Sequence, residues 1–195
     1  MTEVKVLIEG YADKTKDGWV ASPSTVLIKD SGLNILVDPG SNKKLLLKMF
    51  DKEKMKPKDI DMIFVTHYHL DHTLNIRLFP DCDVLDGNEI NKDDKIFSYS
   101  GKIPKTNVKV IETPGHAHEH ASLLVETKKG KIAIAGDLFW WRDEEEQRTD
   151  YESLMNHKDP YVKNEKELKE SRKKVLEIAD YIIPGHGKMF KVNKK

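Results

Sequence analysis

The run Thr66-His67-Tyr68-His69-Leu70-Asp71-His72 constrains this chain more than any other segment. Three histidines and an aspartate fall within six residues, directly after the apolar run Met62-Ile63-Phe64-Val65. Neutral imidazole and carboxylate are the ligands that suit zinc, iron and manganese. The competing reading is a polar loop that merely happens to hold histidines, and the partners found downstream weigh against it.

Three later loops repeat the pattern. Thr113-Pro114-Gly115-His116 follows Val108–Glu112, Gly136-Asp137 follows Lys131–Ala135, and Pro184-Gly185-His186-Gly187 follows Tyr181–Ile183. Each sets a ligand-type residue beside glycine where an apolar strand ends, and glycine lets a backbone approach a site closely. Four such strand ends can converge on one edge of a sheet. His67, His69, Asp71, His72, His116, Asp137 and His186 make seven candidate metal ligands. A catalytic zinc takes three protein ligands plus water, so this set suits two metals with one carboxylate bridging. His67 and His69 alternate and can point to one side of an extended turn.

The bulk numbers narrow the class. The chain has 195 residues, 38% hydrophobic and 34% charged, which is the size of one domain with a substantial core and a charged surface. Lys+Arg and Asp+Glu are 33 each, so net charge gives no general pull toward nucleic acid or membrane. The single cysteine, Cys82, excludes an intrachain disulfide and a cysteine-based zinc site, and reads as a small, half-buried residue. Met1-Thr2-Glu3-Val4-Lys5 lacks the pattern of a signal peptide, and no apolar stretch approaches the ~20 residues that span a bilayer. A cytoplasmic protein is expected.

Patterning predicts a strand over Val4–Gly10, a hairpin of Thr25–Lys29 with Leu33–Val37, a turn at Asp38-Pro39-Gly40 and an amphipathic helix from Leu45. Asp71 is expected to cap a helix that Pro80 ends. Small strands are expected over 81–105, a strand at Val108–Glu112 and a hairpin around Lys128-Lys129-Gly130. Trp140 to Pro160 has no period and reads as an irregular insertion. A helix over Glu165–Ala179 and a last strand at Tyr181–Ile183 follow.

The motif His67-x-His69-x-Asp71-His72, followed by His116, Asp137 and His186, resembles the metallo-β-lactamase superfamily. Asp38-Pro39-Gly40 and Pro184-Gly185-His186-Gly187 fit it too, so the likeness runs from about Val4 to Gly187. The resemblance implies an α+β four-layer αβ/βα sandwich of metallo-β-lactamase-like fold, a single domain over 1-195. It also implies two divalent metal ions at one sheet edge, zinc first, with manganese and iron as alternatives. His67, His69 and His116 would hold the first, Asp71, His72 and His186 the second, and Asp137 would bridge. His69 stands where the flavodiiron branch carries a glutamate, which argues against that branch. His116-Ala117-His118-Glu119-His120 departs from the turn of glyoxalase II-like members, which weakens a glutathione-thioester reading. The tail from Ser171 through Gly187, with Asp180, is similar to small stand-alone members, some of which have been linked to RNA cleavage.

The function so implied is a di-metal-dependent hydrolase. Two metals ~3.5–4 Å apart can share a hydroxide and attack an ester, lactone, thioester or phosphodiester bond. Asp71 is the candidate for orienting that nucleophile. His118 and His120, just past a ligand and unassigned, are candidates for the general acid. Asp81 or Asp83 could support the ligands. Tyr68 should pack beside the site, Trp140, Trp141 and Arg142 could line the mouth, and His157 should lie on the surface. The run Asp143-Glu144-Glu145-Glu146 reads as a solvated face, and Lys188, Lys191, Lys194 and Lys195 gather near the last ligand loop. The substrate, a small molecule or RNA, stays open, as does oligomeric state, and no membrane partner is expected. Two other readings remain: a mono-iron oxygenase of the persulfide dioxygenase type, and a metal-binding protein without turnover.

Overall fold

A computed structural model describes residues 2–193. Lys194 and Lys195 of the basic group lie outside the described residues. The first half of the chain is a run of strands: β1 (Glu3–Ile8), β2 (Tyr11–Thr15), β3 (Gly18–Ser22), β4 (Thr25–Asp30), β5 (Leu33–Val37), β6 (Met62–Phe64), β7 (Asp83–Leu85), β8 (Glu89–Lys92) and β9 (Lys95–Ser98). Seven of them form one sheet in the order β1-β4-β5-β6-β7-β8-β9. β4 and β5 pair antiparallel, with Val26 opposite Val37 and Ile28 opposite Ile35, and β5 runs parallel to β6. β2 and β3 form a separate hairpin that the sequence reading passed over. The signal is weak because Asp13, Lys14 and Thr15 are exposed and carry no apolar alternation.

The second sheet holds β10 (Lys109–Glu112), β11 (Ala121–Thr127), β12 (Gly130–Trp140), β13 (Tyr181–His186) and β14 (Phe190–Lys191), in that order. β11 and β12 make the hairpin expected at Lys128-Lys129-Gly130, and β12 then runs parallel to β13.

Period-two alternation divides the side chains between layers. Val26, Ile28, Ile35, Val37 and Phe64 of the first sheet meet Leu123, Val125, Ile132, Ile134 and Ile183 of the second in a shared core. The intervening residues Leu27, Leu36 and Ile63 point the other way, onto α1 (Lys43–Lys52) through Leu46 and Phe50. The outer face of the second sheet, with Ala133, Ala135 and Ile182, is covered by α4 (Glu165–Ile178) through Leu168, Val175 and Leu176. The result is helix, sheet, sheet, helix. Each long helix begins on an asparagine cap: Asn42 accepts from the Leu45 N–H at 3.0 Å and Asn164 from the Glu167 N–H at 3.2 Å.

Two short helices correct the expectations. α2 (Leu70–Thr73) is one turn that passes into a 3-10 segment at Leu74–Leu78, and its N-cap is His69, not Asp71. Asp71 lies inside the first turn, which leaves its carboxylate free to face another element. The stretch 140–160 is not irregular throughout: Trp140 ends β12, and α3 (Tyr151–Asn156) is capped by Asp150. A six-residue helix is too short to show a period.

Candidate metal centre

The loop after β6 is pinned before it delivers any ligand. Thr66 donates its N–H to Asp38 Oδ1 and its hydroxyl to Asp38 Oδ2, each at 2.8 Å, while its carbonyl accepts the Ala121 N–H at 2.9 Å. Asp38 sits at φ 46, a left-handed conformation that Asp tolerates better than most residues, at the turn after β5. His67, His69, Asp71 and His72 then project from a segment fixed at both sheets.

All seven predicted residues come together. His67, His69, His116 and Asp137 form one group, and Asp71, His72 and His186 form another; in each, the ligand-type atoms lie within 4.8 Å of one another. Asp137 stands between the groups. Its Oδ2 is 3.4 Å from His116 Nε2 and 3.8 Å from His67 Nε2, while its Oδ1 is 3.3 Å from His72 Nε2 and 3.6 Å from His186 Nε2. Asp71 Oδ2 is 3.4 Å from His186 Nε2. Close backbone approach makes this packing possible. A Cβ on Gly185 would fall 1.9 Å from Asp137 Oδ1, and Gly136, at φ +49, leaves no room for one against Thr66 and His120.

The far side of each ring fixes its orientation. His72 Nδ1 is bound to Asp38 Oδ2 at 2.8 Å and His116 Nδ1 to Asp159 Oδ2 at 2.6 Å. His186 Nδ1 donates to the carbonyls of Tyr11 at 3.0 Å and Ser22 at 3.1 Å. In all three rings the Nδ1 contact turns Nε2 toward the centre. His69 is the exception, since its Nδ1 faces His116 Nε2 at 3.1 Å. Asp38 and Asp159 are thus the supporting carboxylates, not Asp81 or Asp83; Asp83 pairs instead with Lys92. Asp38 was legible as a turn residue only. Asp159 carried no signal, because its partner lies 43 residues away in sequence.

Charge divides the groups. Burial and the neighbouring His72 push His67 well below the ordinary histidine value, and burial lowers His69 as well. Burial would also lower His72, but the Asp137 and Asp38 carboxylates hold it well above that value; Asp137 and Asp71 likewise raise His186. Burial would raise Asp137, yet His72 and His186 hold it well below the usual carboxylate range. A divalent cation fits this arrangement. His67 Nε2, His72 Nε2 and Asp137 Oδ1 are buried with no hydrogen-bond partner among the described residues. Each orphan costs about 1–3 kcal/mol. Three of them facing one centre of imidazole and carboxylate are what a hard or borderline cation would satisfy.

The centre opens into a cleft of about 1180 Å³ between the β2–β3 hairpin, the 156–162 segment and α4. His69, Asp71, Asp137 and His186 line it. Trp140 and Arg142 line it too, as expected, whereas Trp141 is buried in the core under α3 and α4. Tyr161, which the sequence did not single out, packs against Trp140 with centroids 5.9 Å apart and the rings tilted by 35°. The two candidate acids fare differently. His118 is exposed and stands in neither group. His120 lies beside the centre, its ring 5.3 Å from His67, but it is buried, its Nδ1 contacts Thr113 Oγ1 at 2.9 Å, and burial pushes its pKa down to about 3. His157 is half-buried, not on the surface, and binds the Trp140 carbonyl at 2.6 Å. Tyr68 is 52% exposed and bonds Asp86. No helix among the described residues is long and apolar enough to cross a membrane.

Comparison with known proteins gives one consistent picture. The family model for the metallo-beta-lactamase superfamily matches residues 18–81, the segment from β3 through the His67–His72 run. Metallo-beta-lactamase domain-containing protein 1 of Xenopus laevis is 29% identical over 201 residues, covering 98% of this chain and 82% of that protein. The Homo sapiens protein of the same name is 30% identical over 168 residues, covering 81% and 59%. Among solved structures, a Thermotoga maritima protein provisionally described as a metallo-beta-lactamase superposes with a TM-score of 0.75 at 21% identity, over 97% of this chain and 99% of that one. A dizinc quorum-quenching lactonase superposes with a TM-score of 0.67 at 16% identity, over 92% and 78%.

Proposed function

We propose, from the premise that this chain belongs to the metallo-beta-lactamase superfamily, that it is a di-metal-dependent hydrolase of small carboxylic acid derivatives. The observation that carries the reading is Asp137, whose two oxygens are divided between two groups of imidazoles that both hold buried, unpartnered atoms. His67, His69 and His116 would hold one cation, Asp71, His72 and His186 the other, and Asp137 would serve both. Divalent metal held there would supply a Lewis acid for the scissile carbonyl and lower the pKa of water to about 7.

The remaining work falls to this chain's own side chains. Asp71 lines the cleft with its Oδ2 toward His186, and its carboxylate would accept a hydrogen bond from water held in the cleft. Burial would raise Asp71, but the bond to His186 holds it below the usual carboxylate value, so it orients water as an anion at neutral pH. Trp140 and Tyr161 would give the substrate an aromatic wall. Among the described residues no histidine of the cleft outside the seven is free to protonate a leaving group. Among the described residues, His157 is the one histidine lining the cleft outside the seven, its Nε2 is committed to the Trp140 carbonyl, and burial lowers its pKa. A thiolate, with a pKa of about 8.5, departs without protonation, so the reading favours thioesters and activated esters over phosphodiesters. The exposed Asp143, Glu144 and Glu146 beside Arg142 add to this, since they would repel an RNA backbone.

Elemental analysis of protein purified without chelator or added metal is the first test. Two zinc or manganese ions per chain are expected, and a single iron would overturn the reading. The His69→Ala, Asp71→Ala double variant should lose bound metal and at least about 10³-fold in thioester turnover. Unchanged metal content and turnover would sink it.

A further inference from the structure

We propose that Arg172 forms a buried anion site in the wall of the cleft, which fixes the substrate by a carboxylate remote from the scissile bond. The inference deepens the hydrolase reading and rests on the cleft being the substrate site. It starts from a broken pattern. The inward face of α4 carries Leu168, Val175 and Leu176, and Arg172 occupies a position on that same face, 1% exposed. Arginine is almost never fully buried unless paired. A charged residue that breaks the local apolar rule is a place to look for function.

Its contacts leave one edge free. The Arg172 Nε donates to the Leu138 carbonyl at 3.0 Å and Nη1 to the His157 carbonyl at 2.6 Å. Nη2 is buried with no partner among the described residues, and Arg172 lines the cleft. Among the described residues no ion pair offsets the charge. Asp159, the carboxylate whose field reaches the guanidinium, is committed through Oδ2 to His116 and through Oδ1 to the Tyr161 N–H and the Trp140 indole N–H. Burial lowers the guanidinium to about 10, so it stays charged at neutral pH. A buried cation without a counter-charge is costly, and an incoming anion removes that cost.

The geometry selects among anions. With Nε and one Nη1 hydrogen taken, one N–H on Nη1 and two on Nη2 remain to donate to the oxygens of an anion. A single positive charge is balanced by a monoanion. A carboxylate meets both conditions, and the Trp140–Tyr161 wall would hold the arm that carries it.

The zinc-loaded full chain can be titrated with ω-mercaptovalerate and with ω-mercaptovaleramide, whose thiols are alike and whose far ends differ only in charge. Calorimetry should show the carboxylate binding about tenfold tighter than the amide. Arg172→Met should abolish that preference while leaving the amide's affinity unchanged. Lys158→Ala and Lys169→Ala, which neutralise the exposed cleft lysines, should leave the preference intact. Equal affinities in the unmodified protein would overturn the inference with no variant needed, as would a preference that survives Arg172→Met or vanishes with either lysine. Removing zinc separates this from the hydrolase reading: both thiols should weaken alike. Thiols indifferent to zinc would count against the metal centre, and a lost carboxylate preference against Arg172.

Discussion

The two groups of candidate ligands are built from the same residue types but rest on different backing. His116, in the first, leans on Asp159, which comes from the loop between α3 and α4 and also holds Trp140 and Tyr161. His72, in the second, leans on Asp38, which comes from the sheet turn that pins Thr66. His186 leans on carbonyls of the β2–β3 hairpin. The first group is therefore tied to the substrate wall and the second to the sheet framework. The charges follow this division: His67 and His69 are disposed to be neutral, His72 and His186 to hold protons. Identical ligand chemistry can thus give two sites with different responses to substrate and to acid.

Replacing the two supporting carboxylates one at a time breaks the comparison most sharply. Loss of such a partner costs about 10–100-fold in metal affinity or activity. Asp159→Asn should weaken the first site and, because Tyr161 and Trp140 share that carboxylate, raise KM as well. Asp38→Asn should weaken the second site and leave KM nearly unchanged. Stepwise chelator titration followed by elemental analysis reads the two affinities. If both variants release both ions together, the groups are not separable.

Acid should act on the second site first. His72 has its folded pKa raised above the usual value of about 6.5. In the metal-free chain its contribution to stability is fully present below the unfolded value and is lost as pH rises through the folded one. His67 has the opposite sign: its folded pKa is depressed, so the metal-free fold loses stability as pH falls below the unfolded value toward the folded one. A cation entering the second group must displace the His72 proton, whereas His67 is already neutral. Affinity at the second site should therefore fall with pH, by about tenfold per pH unit for each proton displaced from His72 and His186, while the first site holds. Equilibrium dialysis at fixed free zinc, stepped from neutral to mildly acidic pH, should pass through one ion per chain. Simultaneous loss of both would contradict the division.

What the sequence made legible was whatever is local. His67 through His72 sit in one short run, and His116, Asp137 and His186 each stand beside a glycine, so the residues that the structure brings together could be listed without coordinates. The sheets were legible for the same reason, since Val26 to Val37 alternates with the period of the layers it separates. Asp159 and Arg172 were not. Each acquires its role from partners more than a dozen residues away, and the 140–160 stretch that brings Asp159 into place pairs through a parallel strand and a helix too short to carry a period. The helix start was misread because aspartate is a good cap, but His69 already holds the extended φ and ψ of the capping position.

The smallest expected effect is at His118, which sequence proximity to His116 made a candidate acid. The chain turns between them: the Gly115 N–H bonds the Ala117 carbonyl, and the Thr113 N–H bonds the His120 carbonyl. That tight return buries His116 and His120 and leaves His118 exposed. A solvent-facing imidazole outside the cleft can neither reach a leaving group nor support a ligand, so His118→Ala should change kcat/KM by less than about twofold, within the range of neutral surface substitutions. A loss of tenfold or more, with the acidic limb of the pH–rate profile displaced, would return His118 to the reaction and require the 116–120 turn to open when substrate binds.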